Sequence, residues 1–434
     1  MPKLRSRDRR SLIQALRAGV VPRSGLQHIQ VGRASELSAL VDDINHVADG
    51  GSTIRFIIGE YGSGKTFFLN LIRLTALEQG LVTVQADLTP DRRLQSTGGH
   101  ARALYSEFIK NLATRTKPDG GALTSIVERF ISRTVPTGED GSAAIRAALQ
   151  PLQDYVSGHD FAAVISTYYA AYTSGDEAVK SAAIRWLRGE YPNKTAAKRD
   201  LPVTTIIDDD NWYDYLKLLS QFVRLAGYNG IMVLADELVN LYKLNHKVSR
   251  TRNYEQILAI LNDSLQGLAS HIGFIFGGTP DFLQDPYRGL YSYEALQTRL
   301  AENSFATNGL VDLSGPVIRL QNLSPEDVFI LLGNIRRVFS ESDELIVPDA
   351  ALKSFMFHCQ KTIGDAYFRT PRSTVRAFSD LLAVLKQNPD AVWSDLIENV
   401  GIGVESNPDL APLEQPDGTN SQGNADDELT AFTL

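Results

Sequence analysis

The sequence predicts an α/β fold: a parallel sheet with helices on its faces, a large helical insertion, and an all-helical C-terminal region. Three observations carry this. Short apolar runs at Thr53 to Ile58, Leu81 to Ala86, Ile231 to Ala235 and Ile272 to Phe276 read as strands, the first as one buried on both faces, and helical patterns separate them. Directly after the first of them, Gly59-Glu60-Tyr61-Gly62-Ser63-Gly64-Lys65-Thr66 fits the phosphate-loop pattern GxxxxGK[ST] at every fixed position. The distance from Lys65 to Asp236 is far too long for one helix and one strand, so a helical insertion on the order of 100 residues is expected at about 105–210.

In chain order, Leu12, Ile13 and Leu16 have helical spacing, and Gly19 and Pro22 break it. Arg33 or Ser35 opens a second helix with Leu37, Leu40, Val41, Ile44 and Val47 on one face, stopped at Gly50-Gly51. The helix after the phosphate loop runs to about Gln79, where Gly80 caps it. The insertion reads as helices at Ala101 to Leu112, Leu123 to Ser132, Ala143 to Val156, Phe161 to Tyr169, Ala178 to Leu187 and Trp212 to Leu225, with a polar, partly extended connector at 195–210. A helix at Tyr254 to Leu268 links the third and fourth strands. Further on, Ser324-Pro325 is an N-cap with proline at the first helical position, opening Val328 to Phe339. Helices follow from Pro348 to Cys359 and from Ser373 to Lys386. The Pro-, Gly- and acid-rich stretch 404–434 reads as a disordered tail.

At 434 residues the chain is long enough for two or three domains, and 43% apolar with 22% charged residues is an ordinary globular composition. No apolar run approaches the ~18 residues of a membrane span, and the arginine-rich N-terminus lacks an apolar stretch behind it, so a cytoplasmic location without membrane contact is expected. The single cysteine, Cys359, excludes an internal disulfide framework and a cysteine metal cluster, and is expected to be a small buried apolar residue. The net charge of −8 is unevenly spread. Lys3, Arg5, Arg7, Arg9, Arg10, Arg17, Arg23 and Arg33 face only Asp8 in residues 1–33, whereas 405–434 hold acids and no base. The basic segment suits contact with nucleic acid or an acidic partner, or a solvated terminus.

The chemistry of the phosphate loop explains its residue types. Amides that all turn toward an anion need glycines, Lys65 supplies a mobile positive charge to the β and γ phosphates, and the Thr66 hydroxyl is a Mg²⁺ ligand. Hydrolysis needs more: Asp236, ending the third strand, is placed to hold Mg²⁺ through water, and Glu237 to orient and deprotonate an attacking water. Thr279, after the fourth strand, is either a γ-phosphate sensor or the turn residue before Pro280. Arg372, with Arg376 one turn later, either swings onto the γ-phosphate or belongs to a solvated helix face. Arg288 and Arg299 are candidates for a finger reaching a neighbouring subunit, against an ordinary mixed surface. No HExxH pair or GxSxG context supports other chemistries.

This ordered set resembles an AAA+ ATPase of the origin-recognition initiator-like clade. More specifically, the chain is similar to the ATP-binding proteins of bacteriophage-exclusion (BREX) systems of the BrxC/BrxD type, over roughly residues 11–385. The stretches that carry the likeness are Ala15-Leu16-Arg17-Ala18-Gly19-Val20-Val21-Pro22 with Val31-Gly32-Arg33, the loop Gly59 to Thr66 with Phe67-Phe68-Leu69, Ala86-Asp87-Leu88-Thr89, Trp186-Leu187-Arg188-Gly189-Glu190, and Asp236-Glu237-Leu238-Val239-Asn240-Leu241-Tyr242. Gly277-Gly278-Thr279-Pro280 and Thr370-Pro371-Arg372 extend it. The resemblance implies ATP and Mg²⁺, an adenine pocket around Val31, Gly32 and Arg33, and a role in anti-phage defence with other defence-operon proteins, such as helicase or DNA-modifying components. It also implies action on DNA and an ATP-dependent homo-oligomer. The expected organisation is a basic N-terminal arm and helix (1–30), an ATPase core (31–315), a helical lid (316–400) and the acidic tail (401–434). The helical insertion is the expected partner-binding surface. Two rivals stand beside hydrolysis: an ATP-gated scaffold with little turnover, and a small-molecule kinase, which the Asp-Glu pair disfavours.

Overall fold

The computed structural model describes residues 4–135, 141–306, 311–340, 344–398 and 401–402. Its elements, in chain order, begin with α1 (Ser6–Ala18), α2 (Ala34–Ala48), β1 (Ser52–Ile58), α3 (Lys65–Glu78) and β2 (Val82–Asp87). The long segment before the next strand holds α4 (His100–Lys110), α5 (Leu123–Thr134), α6 (Ser142–Leu149), α7 (Gly158–Ser174), α8 (Glu177–Leu187), α9 (Lys194–Asp200) and α10 (Trp212–Leu225). Then come β3 (Ile231–Asp236), α11 (Val239–Tyr242), α12 (Lys247–Leu265), β4 (Ile272–Gly278), α13 (Pro280–Gln284), α14 (Glu294–Leu300) and β5 (Val317–Arg319). The chain closes with α15 (Pro325–Phe339), α16 (Asp349–Ile363), α17 (Ala366–Arg369), α18 (Pro371–Gln387) and α19 (Trp393–Glu398).

The strands form one sheet in the order β2-β3-β4-β1-β5. β2, β3 and β4 run parallel, with Asp87 opposite Asp236 and Ile231 opposite Ile272. β5 continues the parallel pattern: Phe56 N–H donates to Pro316 O at 2.8 Å and Leu320 N–H to Ile58 O at 2.7 Å. Every residue of β3 and β4 is buried, which is why their sequences are nearly uninterrupted apolar runs rather than alternating ones.

The chain divides into two units. One gathers the described residues of Met1–Ser38, Ile57–Ile72 and Ile318–Pro412, the other those of Ala39–Phe56 and Arg73–Val317. The second unit carries most of the sheet and the helical segment between β2 and β3. That segment has aromatic packing of its own: Phe222 on α10 meets Phe130 of α5 at 5.1 Å and Phe161 of α7 at 5.3 Å, and Trp186 of α8 stands edge-on to Tyr215 of α10. A buried carboxylate ties its connector down. Asp160 Oδ2 accepts from the amides and hydroxyls of both Thr204 and Thr205, at 2.6 to 3.0 Å. Burial pushes this carboxyl up, but the hydrogen bonds from Thr205 and Thr204 together outweigh it and leave it below the ordinary value.

The first unit has a helical core. Leu12 and Leu16 of α1 join Val328, Leu332 and Ile335 of α15, Leu352 and Phe355 of α16, and Phe378 and Leu382 of α18, all buried. Each such side chain stabilises the unit by about 1.5–3 kcal/mol relative to exposure. α15 starts on a complete capping box, Ser324 Oγ accepting from Asp327 N–H while Asp327 accepts from Ser324 N–H. Cys359 lies in this core, where burial pushes its thiol up to about 12, so it packs as an inert apolar residue.

Several expectations need correction. The basic N-terminal segment is already helical from Ser6, so Arg7, Asp8, Arg9 and Arg10 sit on α1 rather than on an arm before it. The connector at 195–210 contains α9, a polar helix signalled by Asn193, whose Oδ1 accepts from Ala196 N–H. The helix expected at Ala143 to Val156 ends at Leu149 and continues as a 3₁₀ turn over Gln150–Asp154, where Pro151 cannot supply an amide. β5, α11, α13, α14, α17 and α19, three to seven residues long, have no counterpart among the expected elements, and α12 starts at Lys247 rather than Tyr254. The tail expected at 404–434 lies outside the described residues. Among the described residues, no helix is long and apolar enough to cross a membrane.

Candidate functional site

β1 is a buried strand whose last residue, Ile58, delivers the chain into the loop Gly59 to Gly64, and α3 starts at Lys65. Gly62 and Gly64 have φ of 76° and 87°, the left-handed region that costs a Cβ-bearing residue about 1 kcal/mol or more. They are needed for different reasons. Around Gly64 a Cβ would meet nothing within 4 Å, so only its backbone conformation demands glycine, whereas at Gly62 a Cβ would also stand 2.8 Å from Thr370. The Lys65 ammonium is drawn over the loop, Nζ donating to Gly59 O at 2.8 Å and Glu60 O at 2.9 Å. Asn70, one turn on, donates to Thr66 O at 2.9 Å and tightens the first turn of α3. Loop amides, a lysine and a helix N-terminus thus gather at one place, the combination that suits a phosphate chain.

Arg33 turns out to belong to this loop. Its Nη2 donates to Ser63 O at 2.5 Å and to Gln321 O at 3.1 Å, and its guanidinium lies 5.9 Å from the Phe68 ring centroid. Burial pulls the guanidinium below its ordinary value, and Glu36 and Asp327 oppose that shift. Its backbone is left-handed, φ 59°, next to Gly32 at 60°. Strain at a residue that bonds the phosphate loop is the kind that surrounding structure must hold in place. Arg33 Nη1 and Ser63 Oγ are both buried, with no hydrogen-bond partner among the described residues. Two orphaned polar atoms beside a glycine loop are consistent with a site completed by a polar ligand. Val31 and Phe67 pack against the core of the same unit, and Gly32 approaches the Asp327 carboxylate.

In the other unit, Asp236 ends β3 at 3% exposure. Its backbone carbonyl accepts from Leu88 N–H at 3.0 Å and its Oδ1 from Glu237 N–H at 2.9 Å. Glu237, the expected base, has φ of 58°. Beside them stands a second carboxylate, Asp87, opposite Asp236 on the ladder. Burial raises the Asp87 carboxyl above its ordinary value and the Asp236 carboxylate adds to it, Arg92 opposing. The sequence shows that both strands end in an acid, but only their register places the two acids side by side. Thr279 is an N-cap, Oγ1 accepting from Phe282 N–H at 3.3 Å, so the local turn role is the one its geometry displays.

The arginines separate. Arg288 is engaged inside its own unit, Nη2 donating to Tyr242 O at 3.1 Å and Leu244 O at 3.2 Å with the guanidinium 5.4 Å from the Tyr242 ring. An arginine held this way braces the segment after β3 and is poorly suited to reach a neighbour. Arg299 is exposed, with Nη1 on Ala295 O. Arg372 and Arg376 are exposed on α18, and their stems pass within 3.8 Å of where a Gly19 Cβ would be. Among the described residues, no group of three or more His, Cys, Asp or Glu could hold a metal ion, so a preformed protein cage for a cation is not part of the described structure.

A parallel α/β sheet whose first strand runs into a glycine-rich lysine loop and a helix is compatible with a P-loop nucleotide-binding protein. The chain belongs to the BREX system ATP-binding protein BrxC/D family, whose model matches residues 4–400. That description names ATP as the ligand and the BREX system as the setting of its members. No curated protein matches the chain.

Proposed function

We propose that this protein is a Mg²⁺-dependent AAA+ ATPase that works with other BREX components, on DNA, in cytoplasmic defence against phage. The observation that carries the reading is the loop itself: Lys65 held over Gly59 and Glu60, between left-handed Gly62 and Gly64, in a chain of an ATP-binding family. In this reading Gly59 to Phe67 binds the phosphates, with Lys65 on the β and γ groups. Val31, Gly32 and Arg33 lie on the nucleoside side, and the C-terminal helices act as a lid carrying Arg372. Thr66 and Asp236 would hold Mg²⁺, which supplies charge neutralisation to the phosphates; a hydroxyl and a carboxylate are oxygen donors of the kind that ion takes. Glu237 accepts the proton of the attacking water, and Thr279, whose hydroxyl proton remains available while its oxygen caps α13, reports on the γ-phosphate. Arg299 is the better placed of the two finger candidates in an ATP-dependent homo-oligomer, being exposed. Titration with a fluorescent ATP analogue tests the loop. The wild type binds and Lys65→Ala loses binding; equal affinity in the two proteins contradicts the reading.

A further inference from the structure

α1 is amphipathic in an unusual sense. Leu12 and Leu16 are buried in the core of its unit, so the helix is fixed in place. On its other side Arg7, Arg10, Gln14 and Arg17 are all exposed, at spacings of three, four and three residues, which confines them to roughly 80° of arc over about 15 Å. At the C-terminal end of the helix, Gly19 abuts the stems of Arg372 and Arg376, both exposed. Acids are scarce on these faces: Asp8 lies on α1, and Asp380 on α18 pairs with Arg17 at 2.8 Å. This surplus of guanidinium groups occurs on a chain whose net charge is −8.

We infer that the exposed face of α1, continued by Arg376, is a binding surface for the phosphate backbone of a nucleic acid. The inference names the surface for the action on DNA proposed above and rests on that reading. Arginines present forked donors that match phosphate oxygens, and about 15 Å of duplex offers roughly four phosphates on one strand. A membrane surface fits less well, because the large apolar side chains of α1, Leu12, Ile13 and Leu16, lie in or against the core. Contacts from arginine to phosphate carry no sequence information, so binding through this face is expected to be independent of sequence and steeply salt-dependent.

The test is fluorescence anisotropy of a random-sequence 30-base-pair duplex with the full chain, between 50 and 200 mM salt, beside vesicles of phosphatidylcholine and phosphatidylserine and a separate ATP titration of each protein. The wild type binds the duplex. Arg7→Ala with Arg10→Ala flattens the slope of log K against log salt by about 2 and leaves ATP affinity unchanged. Arg115→Ala with Lys117→Ala, which removes as much exposed charge from the other unit, leaves the slope unchanged. A wild type that binds no duplex, a slope unaltered by the α1 variant, or binding to vesicles in place of duplex overturns the inference. Duplex binding without ATP binding instead sinks only the preceding reading.

Discussion

Arg33 offers the sharpest perturbation of the phosphate loop. Arg33→Ala removes two hydrogen bonds from a charged donor, at 2.5 and 3.1 Å, and leaves the carbonyl of the buried Ser63 without its donor. Charge-assisted bonds contribute about 1.5–3 kcal/mol each, but this guanidinium is itself desolvated, so the net loss is nearer about 2–3 kcal/mol in total. Because those bonds fix the loop at Ser63, much of the loss is expected in ATP affinity. A loss of about 2 kcal/mol is roughly 30-fold in Kd. Arg33→Lys keeps the charge but not the fork and recovers little of it. The assay is calorimetric titration with a non-hydrolysable ATP analogue, paired with thermal melting. Variants that melt earlier but bind the analogue with unchanged affinity would make Arg33 a structural strut alone and refute the reasoning.

Three further outcomes follow from the same geometry. Asp160→Asn is expected to destabilise by about 3 kcal/mol near neutral pH, since an amide oxygen cannot satisfy the four donors of Thr204 and Thr205. The Asp160 carboxyl is held below its ordinary value of about 3.9, so its contribution is complete above about pH 5 and is lost as pH falls through the lower folded value; denaturant melts should show the wild-type advantage flat from about pH 5 to 8 and closing in acid. Glu237→Gly relieves the left-handed backbone of a non-glycine residue, and because it also removes the carboxylate it should eliminate phosphate release without the large loss of melting temperature that a buried truncation brings, both measured on one preparation. Gly62→Ala meets both a φ of 76° and Thr370 at 2.8 Å, and should weaken ATP binding more than Gly64→Ala, which meets strain alone.

The sheet was legible because its strands are short apolar runs bounded by acids and glycines, and the phosphate loop because its residue types follow from its chemistry. α1, α10 and α15 showed through their spacing and, for α15, its cap. β5 escaped because three residues make no pattern, and α9 because a polar helix buries little besides Ala197. In the sequence Arg33 reads as a helix opener, a basic residue of the N-terminal segment and part of Val31-Gly32-Arg33, none of which ties it to Ser63. Its bond to Gln321 spans 288 residues of chain, and its left-handed backbone is not encoded in residue type. Asp87 needed the strand order, since only register places it opposite Asp236. For Arg288 the sequence leaves a finger and an ordinary surface arginine both open, because its partners, the carbonyls of Tyr242 and Leu244, are more than 40 residues away.

Phosphate release by the wild type and by Glu237→Gln, measured with ATP, Mg²⁺ and duplex DNA beside ATP affinity for both, tests the central claim most directly. The account predicts that both proteins bind ATP and that only the wild type releases phosphate. Equal release from the two would remove Glu237 from the chemistry, and ATP binding without release from either would make the protein an ATP-gated scaffold.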